Sequence, residues 1–227
     1  PLGDPVAPAG VDPAHPVGDV AAMVEPDLPR SLTWAVLRPW RQVNDTIAYN
    51  QGVLRDSLAQ AMINRRLEAR ARAGGSYLYA QVQRDKVSRS ADATFVTFAP
   101  LTADWRAALA DVRGVIADAL DRPPSQQELD REIAEQQQVF ESSVAERGVM
   151  AGSRLADDIT GAVDIRETVA APETVLMVFN GMKDSITPEQ ILESTRRIFA
   201  GAVVRGTYVT PAEGEASEAE LREALLA

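Results

Sequence analysis

A long stretch without proline, ended by two adjacent glycines, constrains the fold of this chain more than any other feature. It runs from residue 44 or 45 to residue 73. Its apolar side chains recur at helical spacing: Ile47, Leu54, Leu58 and Met62. Asn44 or Asp45 is suited to cap the start, and Gly74-Gly75 is suited to end the helix. The pattern predicts one long amphipathic helix with one face in the core.

The segments on both sides of this helix alternate in the way that strands do. Four strands are predicted, two before the helix and two after it: 20–24, 31–38, 77–87 and 91–99. The two later strands are expected to form a hairpin. In its first strand, simple alternation places Tyr77 on the same face as Tyr79 and opposite Val82.

The remainder of the chain is predicted to be mostly helical. Capping boxes mark the starts of three helices: Ser125–Glu128, Thr187–Gln190 and Ser217–Glu220. Another helix is expected to start at Thr102, and shorter ones are expected near 153–160 and 172–181. A last strand is predicted at 202–209. The element order predicts the α+β class, with a mixed or antiparallel sheet whose helices pack mainly on one face.

Composition predicts three segments along the chain. Residues 1–19 hold five prolines and three glycines and are expected to form a linker. Residues 20–210 are predicted to be one α+β domain. Residues 211–227 are predicted to form an acidic helical tail or linker.

The supply of reactive side chains excludes several kinds of active site. The chain has one histidine, His15, which lies between prolines in a predicted loop, and it has no cysteine. A catalytic zinc ion needs about three protein ligands drawn mainly from His, Cys and carboxylates. We therefore expect no metal site, no cofactor and no catalytic residue in this chain. A chain without cysteine is compatible with the cytoplasm or with the bacterial periplasm, of which the periplasm is favoured.

Charge argues against two classes of partner. Acidic residues exceed basic residues by 33 to 23, for a net charge of -10, so neither nucleic acid nor an anionic membrane is expected to bind. No apolar run approaches the length of a membrane span. The acidic clusters at 130–135 and 157–158 are interpreted as solvated helix faces. Four arginines near the end of the long helix are expected to complement its dipole: Arg65, Arg66, Arg70 and Arg72.

This arginine segment carries a family resemblance. Arg66-Leu67 is followed by Arg72 and then by Tyr79 at the start of a strand. The spacing resembles the stretch Ser-Arg-Leu-x4-Arg-Glu-x2-Gly-Leu-Ala-Tyr of the insulinase-like zinc metallopeptidases, which include pitrilysin and mitochondrial processing peptidase. The helix start at 125–129 also resembles the Thr/Ser-x-x-Glu-Leu start found in that family.

The sequence departs from the family pattern at several positions. Ala73 stands in the place of an acidic residue, and Ser76 stands in the place of a glycine. Arg70 and Tyr77 have the same seven-residue separation as Arg72 and Tyr79, so the register has two alternatives. Nothing in the chain resembles the family's inverted zinc motif, His-x-x-Glu-His.

The resemblance implies a tandem arrangement of similar α+β domains with a ferredoxin-like split, closing around a chamber. In such enzymes a zinc-bound water, assisted by a glutamate of the zinc domain, attacks the peptide carbonyl. This chain is then expected to be a second or fourth domain of a bacterial member that binds no zinc. It would form chamber wall and a substrate-binding surface, and its partners would be the zinc-bearing domain, of the same or another chain, and the peptide.

The resemblance gives Arg72 and Tyr79 the role of donors toward the developing oxyanion of the substrate. The structural alternative is that Arg72 caps a helix end and Tyr79 packs in the sheet. Two other functions stay open: an inactive peptidase-like subunit that acts only in protein–protein association, and an independent enzyme that uses carboxylates alone. Self-association of the isolated chain is a further expectation.

Overall fold

A computed structural model describes residues 10–11, 17–149, 152–201 and 203–226. The strands are β1 (Val17–Val24), β2 (Ser31–Pro39), β3 (Tyr77–Val87), β4 (Ala91–Pro100) and β5 (Val203–Thr210). The helices are α1 (Ile47–Arg72), α2 (Trp105–Asp121), α3 (Gln126–Glu146), α4 (Gly152–Asp164), α5 (Pro172–Asn180), α6 (Pro188–Phe199) and α7 (Glu218–Leu226). His15 and most of the predicted linker lie outside the described residues.

The five strands form one mixed sheet in the order β1-β5-β2-β4-β3. Strand β1 runs parallel to β5, and the other three pairings are antiparallel. Trp34 in the central strand lies opposite Val96 on one side and Gly206 on the other. The predicted α+β class with a mixed sheet is confirmed, and so is the β3–β4 hairpin.

The two faces of the sheet differ in character. Leu32 and Trp34 point into the core and are buried beneath the helices. On the opposite face, the hydroxyls of the paired Thr33 and Thr97 hydrogen-bond at 2.9 Å. Successive side chains of a strand point to opposite faces of the sheet. The helices pack on the apolar face, and the opposite face is more polar.

Two hydrophobic clusters hold the helices in place. The sheet core joins β-strand residues to α1, α2, α6 and α7, and its largest buried side chains include Trp105, Tyr208, Phe98, Leu32 and Leu67. The helical core joins α1 to α3, α5 and α6 through Leu58, Ala59, Met62, Leu129, Phe179, Met182, Ile186 and Ile191. Within the described ranges, no helix has both the length and the apolar character that a membrane span requires.

The ends of α1 are set by local chemistry. The N-cap is Thr46, whose hydroxyl accepts a hydrogen bond from the Tyr49 amide at 3.2 Å. The expected cap at Asn44 or Asp45 is wrong, because Asp45 instead accepts hydrogen bonds from the Asn50 side chain and the Thr168 amide. At the other end, Gly74 adopts a φ of 88°, which a residue with a side chain rarely adopts.

The remaining helix starts follow the capping rules closely. The boxes at Ser125–Glu128 and Thr187–Gln190 have both reciprocal hydrogen bonds, and Ser217–Glu220 does as well. The start of α2 differs from expectation: its N-cap is Asp104, which accepts from the Ala107 amide, rather than Thr102.

The C-terminal segment, expected as an acidic tail, packs against the sheet over its described residues. Helix α7 lies against β1 and β5 and buries Leu221 and Leu225. Before it, Glu215 accepts hydrogen bonds from Arg30 at 2.8 and 2.5 Å and from the Tyr208 hydroxyl at 2.9 Å. The Glu215 carbonyl accepts from the Trp105 indole at 3.1 Å. These contacts fix the loop that leads into α7.

Gly201→Ala is expected to lower the free energy of unfolding by about 1–3 kcal/mol, because the new methyl group would overpack the site. A Cβ there would lie 2.5 Å from Val36 Cγ1 and 3.0 Å from the Leu37 carbonyl oxygen, neither of which moves freely. The measurement is denaturant unfolding. Gly114→Ala in α2 is the control, since its Cβ meets nothing within 4 Å. It should stabilise the chain by about 0.5–1 kcal/mol. Equal stability of Gly201→Ala and the native chain would contradict the packing.

Stability is expected to fall as the pH drops from about 5 to 2. Hydrogen bonds from Arg30 are the main cause that lowers the pKa of Glu215 from 4.5 to about 2. A carboxyl group with a lowered folded-state pKa stabilises the fold above its unfolded pKa and loses that contribution as the pH falls through its folded pKa. The loss should be about 1–3 kcal/mol, followed by denaturant unfolding across this range. Glu215→Gln should flatten the curve, and an unchanged curve would contradict this assignment.

Candidate functional site

The two predicted site residues are both open to solvent. The Arg72 side chain, in the last turn of α1, is 73% exposed and pairs with Glu68 one turn earlier. Tyr79 is 47% exposed and lies on β3, an edge strand of the sheet. Exposed donors of this kind are accessible to an external molecule. Their role toward a substrate stays a prediction.

The two residues of the alternative register, Arg70 and Tyr77, make contacts that hold the fold together. Arg70 donates to Asp111 of α2 at 2.7 Å, and the same carboxylate accepts from the Ser76 amide at 2.8 Å. The hydrogen bond from Arg70 is the main cause that lowers the pKa of Asp111. Tyr77 is 1% exposed and donates its hydroxyl to the Leu67 carbonyl at 2.8 Å. These residues fasten the end of α1 to α2 and β3.

The expectation that Tyr77 shares a face with Tyr79 is wrong. The pairing of β3 with β4 is irregular between Tyr77 and Ala80, which shifts the alternation at that point. Tyr77 and Val82 are therefore both buried in the sheet core. Burial is the main cause that raises the pKa of Tyr77 to about 12, so its hydroxyl stays protonated.

Two further arginines of α1 bind acids of a neighbouring helix. Arg65 donates to Glu132 at 3.0 Å and also pairs with Glu135, and Arg66 lies 3.3 Å from Glu128. Glu132 is 5% exposed, so the expected solvated face is wrong at this position. Arg65 compensates the buried charge, which would otherwise be costly. The arginines thus tie α1 to α3, besides lying near its C-terminal end.

A further candidate site, which we name the hairpin cavity, was not predicted. It is a cavity of about 310 Å³ between the β3–β4 hairpin and the helices α1 and α6. Four basic residues from three different elements line it: Arg38, Arg84, Lys86 and Arg197. Asp56, Asp92 and Tyr49 contribute the acidic and hydroxyl groups. The hairpin cavity thus concentrates cationic side chains in an acidic chain.

Asp56 is the most enclosed acid of the hairpin cavity. It is 8% exposed and faces two guanidinium groups. Its Oδ2 lies 3.4 Å from Arg84 Nη2, and its Oδ1 accepts a hydrogen bond from Arg197 Nη2. Arg197 also donates to the Ser194 hydroxyl at 2.7 Å. One buried carboxylate is therefore shared by two cations from β3 and α6.

Arg38 closes another side of the hairpin cavity and joins α6 to the sheet. Its Nη1 donates at 2.7 Å to the Ile198 carbonyl, one of the carbonyls at the end of α6 that have no partner within the helix. Its Nη2 donates to Asp92 at 3.1 Å and to the Thr94 hydroxyl at 3.0 Å. Arg38 is thus hydrogen-bonded through both of its terminal nitrogens.

Lys86 completes the hairpin cavity from β3. Its ammonium donates to the Tyr49 hydroxyl at 2.8 Å and pairs with Glu167. The Tyr49 hydroxyl in turn donates to Glu167 at 3.2 Å. Burial is the main cause that lowers the pKa of Lys86 and raises the pKa of Tyr49, since both charged forms lose contact with water.

One sequence signal could have indicated the hairpin cavity. Arg84 and Lys86 follow Val82 at successive steps of two along β3, so they share the face of a core residue. Basic side chains on the buried face of a strand predict a polar site. The other members lie at positions 38 and 197, and no local pattern connects them to β3.

The described residues do not fit a zinc centre. Across the part of the chain that the structure describes, there is no group of three or more His, Cys, Asp or Glu side chains placed to hold a metal ion. In the hairpin cavity, Asp56 is flanked by two arginines, and cations of this kind disfavour a metal ion.

Arg72→Ala is expected to leave the free energy of unfolding within about 0.5 kcal/mol of the native value, because its ion pair is exposed. Arg70→Ala should lower the free energy of unfolding more than Arg72→Ala does, since it removes a hydrogen bond to Asp111, whose side chain is only 20% exposed. Denaturant unfolding of the two variants provides the comparison. The reverse order of stabilities would contradict the division into an exposed and a structural arginine.

No family model matches the sequence, and no curated protein matches it. A solved structure of the first half of the periplasmic protease PqqL from Escherichia coli matches with a TM-score of 0.75 and 14% identity, covering 90% of this chain and 45% of that chain.

Two further solved structures match over most of this chain. A predicted insulinase family protease from Yersinia pestis has a TM-score of 0.77 and 14% identity, covering 99% of this chain and 49% of that one. The inactive domain of a peptidase of family M16 from Pseudomonas fluorescens has a TM-score of 0.58 and 14% identity, covering 87% and 45%. The chain spans less than half the length of each of these structures. It has the α+β fold of the insulinase-like peptidase domains.

Proposed function

We propose that this chain is a non-catalytic domain of a bacterial zinc-dependent peptidase. It forms part of a chamber wall and a substrate-binding surface, while a separate domain, in the same or a partner chain, holds the zinc ion and cleaves the peptide. Two observations support it: the match of the fold to solved protease structures, and the scarcity of histidine and cysteine in this chain.

The fold match over nearly the whole chain carries this proposal. The alignments cover 90% and 99% of this chain but 45% and 49% of the two proteases. Full-length PqqL is longer still, and this chain covers 23% of it. A unit that corresponds to only part of larger proteases is suited to act together with further domains. A match at 14% identity transfers the fold, and function must come from the residues of the site.

The side-chain supply supports the non-catalytic role. One histidine and no cysteine occur in 227 residues, so a zinc site of the usual nitrogen and sulfur ligands cannot be assembled here. One of the matched structures is described as an inactive domain, which provides a precedent for the fold without catalysis. The reactive groups of the proposed enzyme would then come from the other domain.

Arg72 and Tyr79 are the residues proposed to meet the substrate. Both are exposed, and the fold does not depend on either of them for a buried contact. A guanidinium and a phenol hydroxyl both donate hydrogen bonds to an oxygen that gains negative charge. This chain would therefore bind and orient the peptide, while the chemical step takes place on the other domain.

The proposal is tested by combining the purified chain with the zinc-bearing domain of its parent protein. Each part alone should leave a fluorogenic peptide intact, and the mixture should cleave it. Metal analysis should find zinc with the partner and not with this chain. Cleavage by this chain alone, with zinc bound in a one-to-one ratio, would overturn the proposal.

Arg72→Ala and Tyr79→Phe are expected to lower kcat/KM of the assembled enzyme at least about tenfold, since each removes a donor to the developing charge. The thermal unfolding of this chain should not change. Arg122→Ala is the matched control, because the Arg122 side chain is 71% exposed and makes the same kind of ion pair one turn away on its helix. Unchanged turnover of both site variants would remove the proposed role.

A second candidate function is protein association without any part in catalysis. Helix α4 presents an exposed apolar stripe at four-residue spacing, formed by Leu155, Ile159 and Val163, which are 46%, 44% and 68% exposed. Exposed apolar stripes of this kind favour contact with another protein. The same mixture separates the two functions: a stable complex without peptide cleavage would favour association alone.

A further inference from the structure

The hairpin cavity carries a surplus of positive charge in a chain of opposite overall charge. Its lining includes four cations and two carboxylates, so the lining residues hold two more positive than negative charges, while the net charge of the chain is -10. From outside the lining, Glu167 pairs with Lys86, and the carboxylate of Asp45 also acts on Lys86 electrostatically. Because cations repel one another in a confined space, such a surplus favours the binding of an anion.

Arg84 is the cation with the most unused hydrogen-bonding capacity. A guanidinium has five N–H donors in a planar fork. Among the described residues, the ionic partner of Arg84 is Asp56 at 3.4 Å, which is longer than a charge-assisted hydrogen bond of about 2.7–2.9 Å. The other oxygen of Asp56 is held by Arg197. The Arg84 side chain is 20% exposed, so these donors lie in a mostly enclosed space.

Two further groups lie beside Arg84 along the wall of the hairpin cavity. Lys86 is on the same face of β3, two residues further on, and its side chain is 23% exposed. Its partner Tyr49 projects from the first turn of α1. A cation and a hydroxyl thus stand next to the guanidinium fork. The charge of Asp56 does not oppose an incoming anion strongly, since two arginines compensate it.

The size of the hairpin cavity limits what can occupy it. Its volume of about 310 Å³ is at the lower end of the range for ligand sites, which is about 300–1,000 Å³. One amino-acid-sized group fits. A planar carboxylate matches the geometry of the guanidinium fork and can accept two parallel hydrogen bonds from it.

We infer that the hairpin cavity binds a carboxylate group, with Arg84 as the bidentate donor and Lys86 as the second cation. Two sources share this chemistry, the carboxyl end of a peptide and a small free carboxylic acid. The peptide source rests on the proposed function. The carboxylate site itself is inferred from the residues of the hairpin cavity and does not depend on the proposed function.

Calorimetric titration of the whole chain tests this inference with three ligands. They are N-acetylglycine, a short peptide with a free carboxyl end, and the same peptide with a C-terminal amide. At least one of the two acids should bind saturably, and the amide should not. Binding of the peptide acid assigns the source to peptides, and binding of N-acetylglycine alone assigns it to small acids. Absence of binding by both acids, or equal binding of the amide, overturns the inference.

Variants identify the residues responsible. Arg84→Gln should weaken binding of the acid at least about tenfold, and Arg84→Lys should recover part of the loss because it restores the charge without the fork. The fold should tolerate both, since Arg197 still compensates Asp56, and thermal unfolding provides the check. Arg66→Gln is the matched control, as its side chain is 23% exposed and ion-paired outside the hairpin cavity. Unchanged affinity in Arg84→Gln would overturn the assignment.

Failure of this inference and failure of the proposed function are distinguishable. The titrations need no zinc-bearing partner, while the peptidase assay needs one and does not depend on the hairpin cavity. Binding of the acids without cleavage in the mixture would retain the carboxylate site and remove the peptidase role. Cleavage without binding of the acids would do the opposite.

Discussion

Burial of α1 on two sides is the constraint on which the rest of the structure depends. Ile63 and Leu67 pack into the sheet core, while Leu58 and Met62 pack into the helical core. Close packing in both directions fixes the rotation of the helix about its axis. That rotation decides which of its polar side chains face neighbouring helices and which face solvent. The first turns of α1 also form one wall of the hairpin cavity.

The arginines at the end of α1 show how burial separates structural from available groups. Arg70 and Arg72 are two residues apart and belong to similar sequence surroundings. Arg70 faces α2 and binds a half-buried carboxylate, whereas Arg72 faces solvent with a partner on its own helix. A surface ion pair contributes little to stability and exchanges readily with water or a ligand. Arg72 is therefore the arginine of the two that can serve an external molecule.

The hairpin cavity gives this domain a polar site between α1, α6 and the sheet. Asp56 and Arg84 lie where α1 meets the sheet. The hydrogen bond between Lys86 and Tyr49 extends these polar contacts to the first turn of α1. Groups of this kind are costly to bury unless they are paired. Their pairing here is uneven, since Arg38 is hydrogen-bonded through both of its terminal nitrogens and Arg84 has one ionic contact at 3.4 Å. That difference gives the hairpin cavity its capacity to bind an anion.

Local chemistry let the sequence by itself determine most element types and several helix ends. The capping boxes at 125–128, 187–190 and 217–220 and the left-handed Gly74 act within a few residues, so pattern rules found them. Only the tertiary structure decided the parallel pairing of β1 with β5, the burial of Tyr77 and the hairpin cavity. These depend on contacts between residues far apart in the chain, where small differences in packing free energy choose among arrangements that look equivalent in sequence.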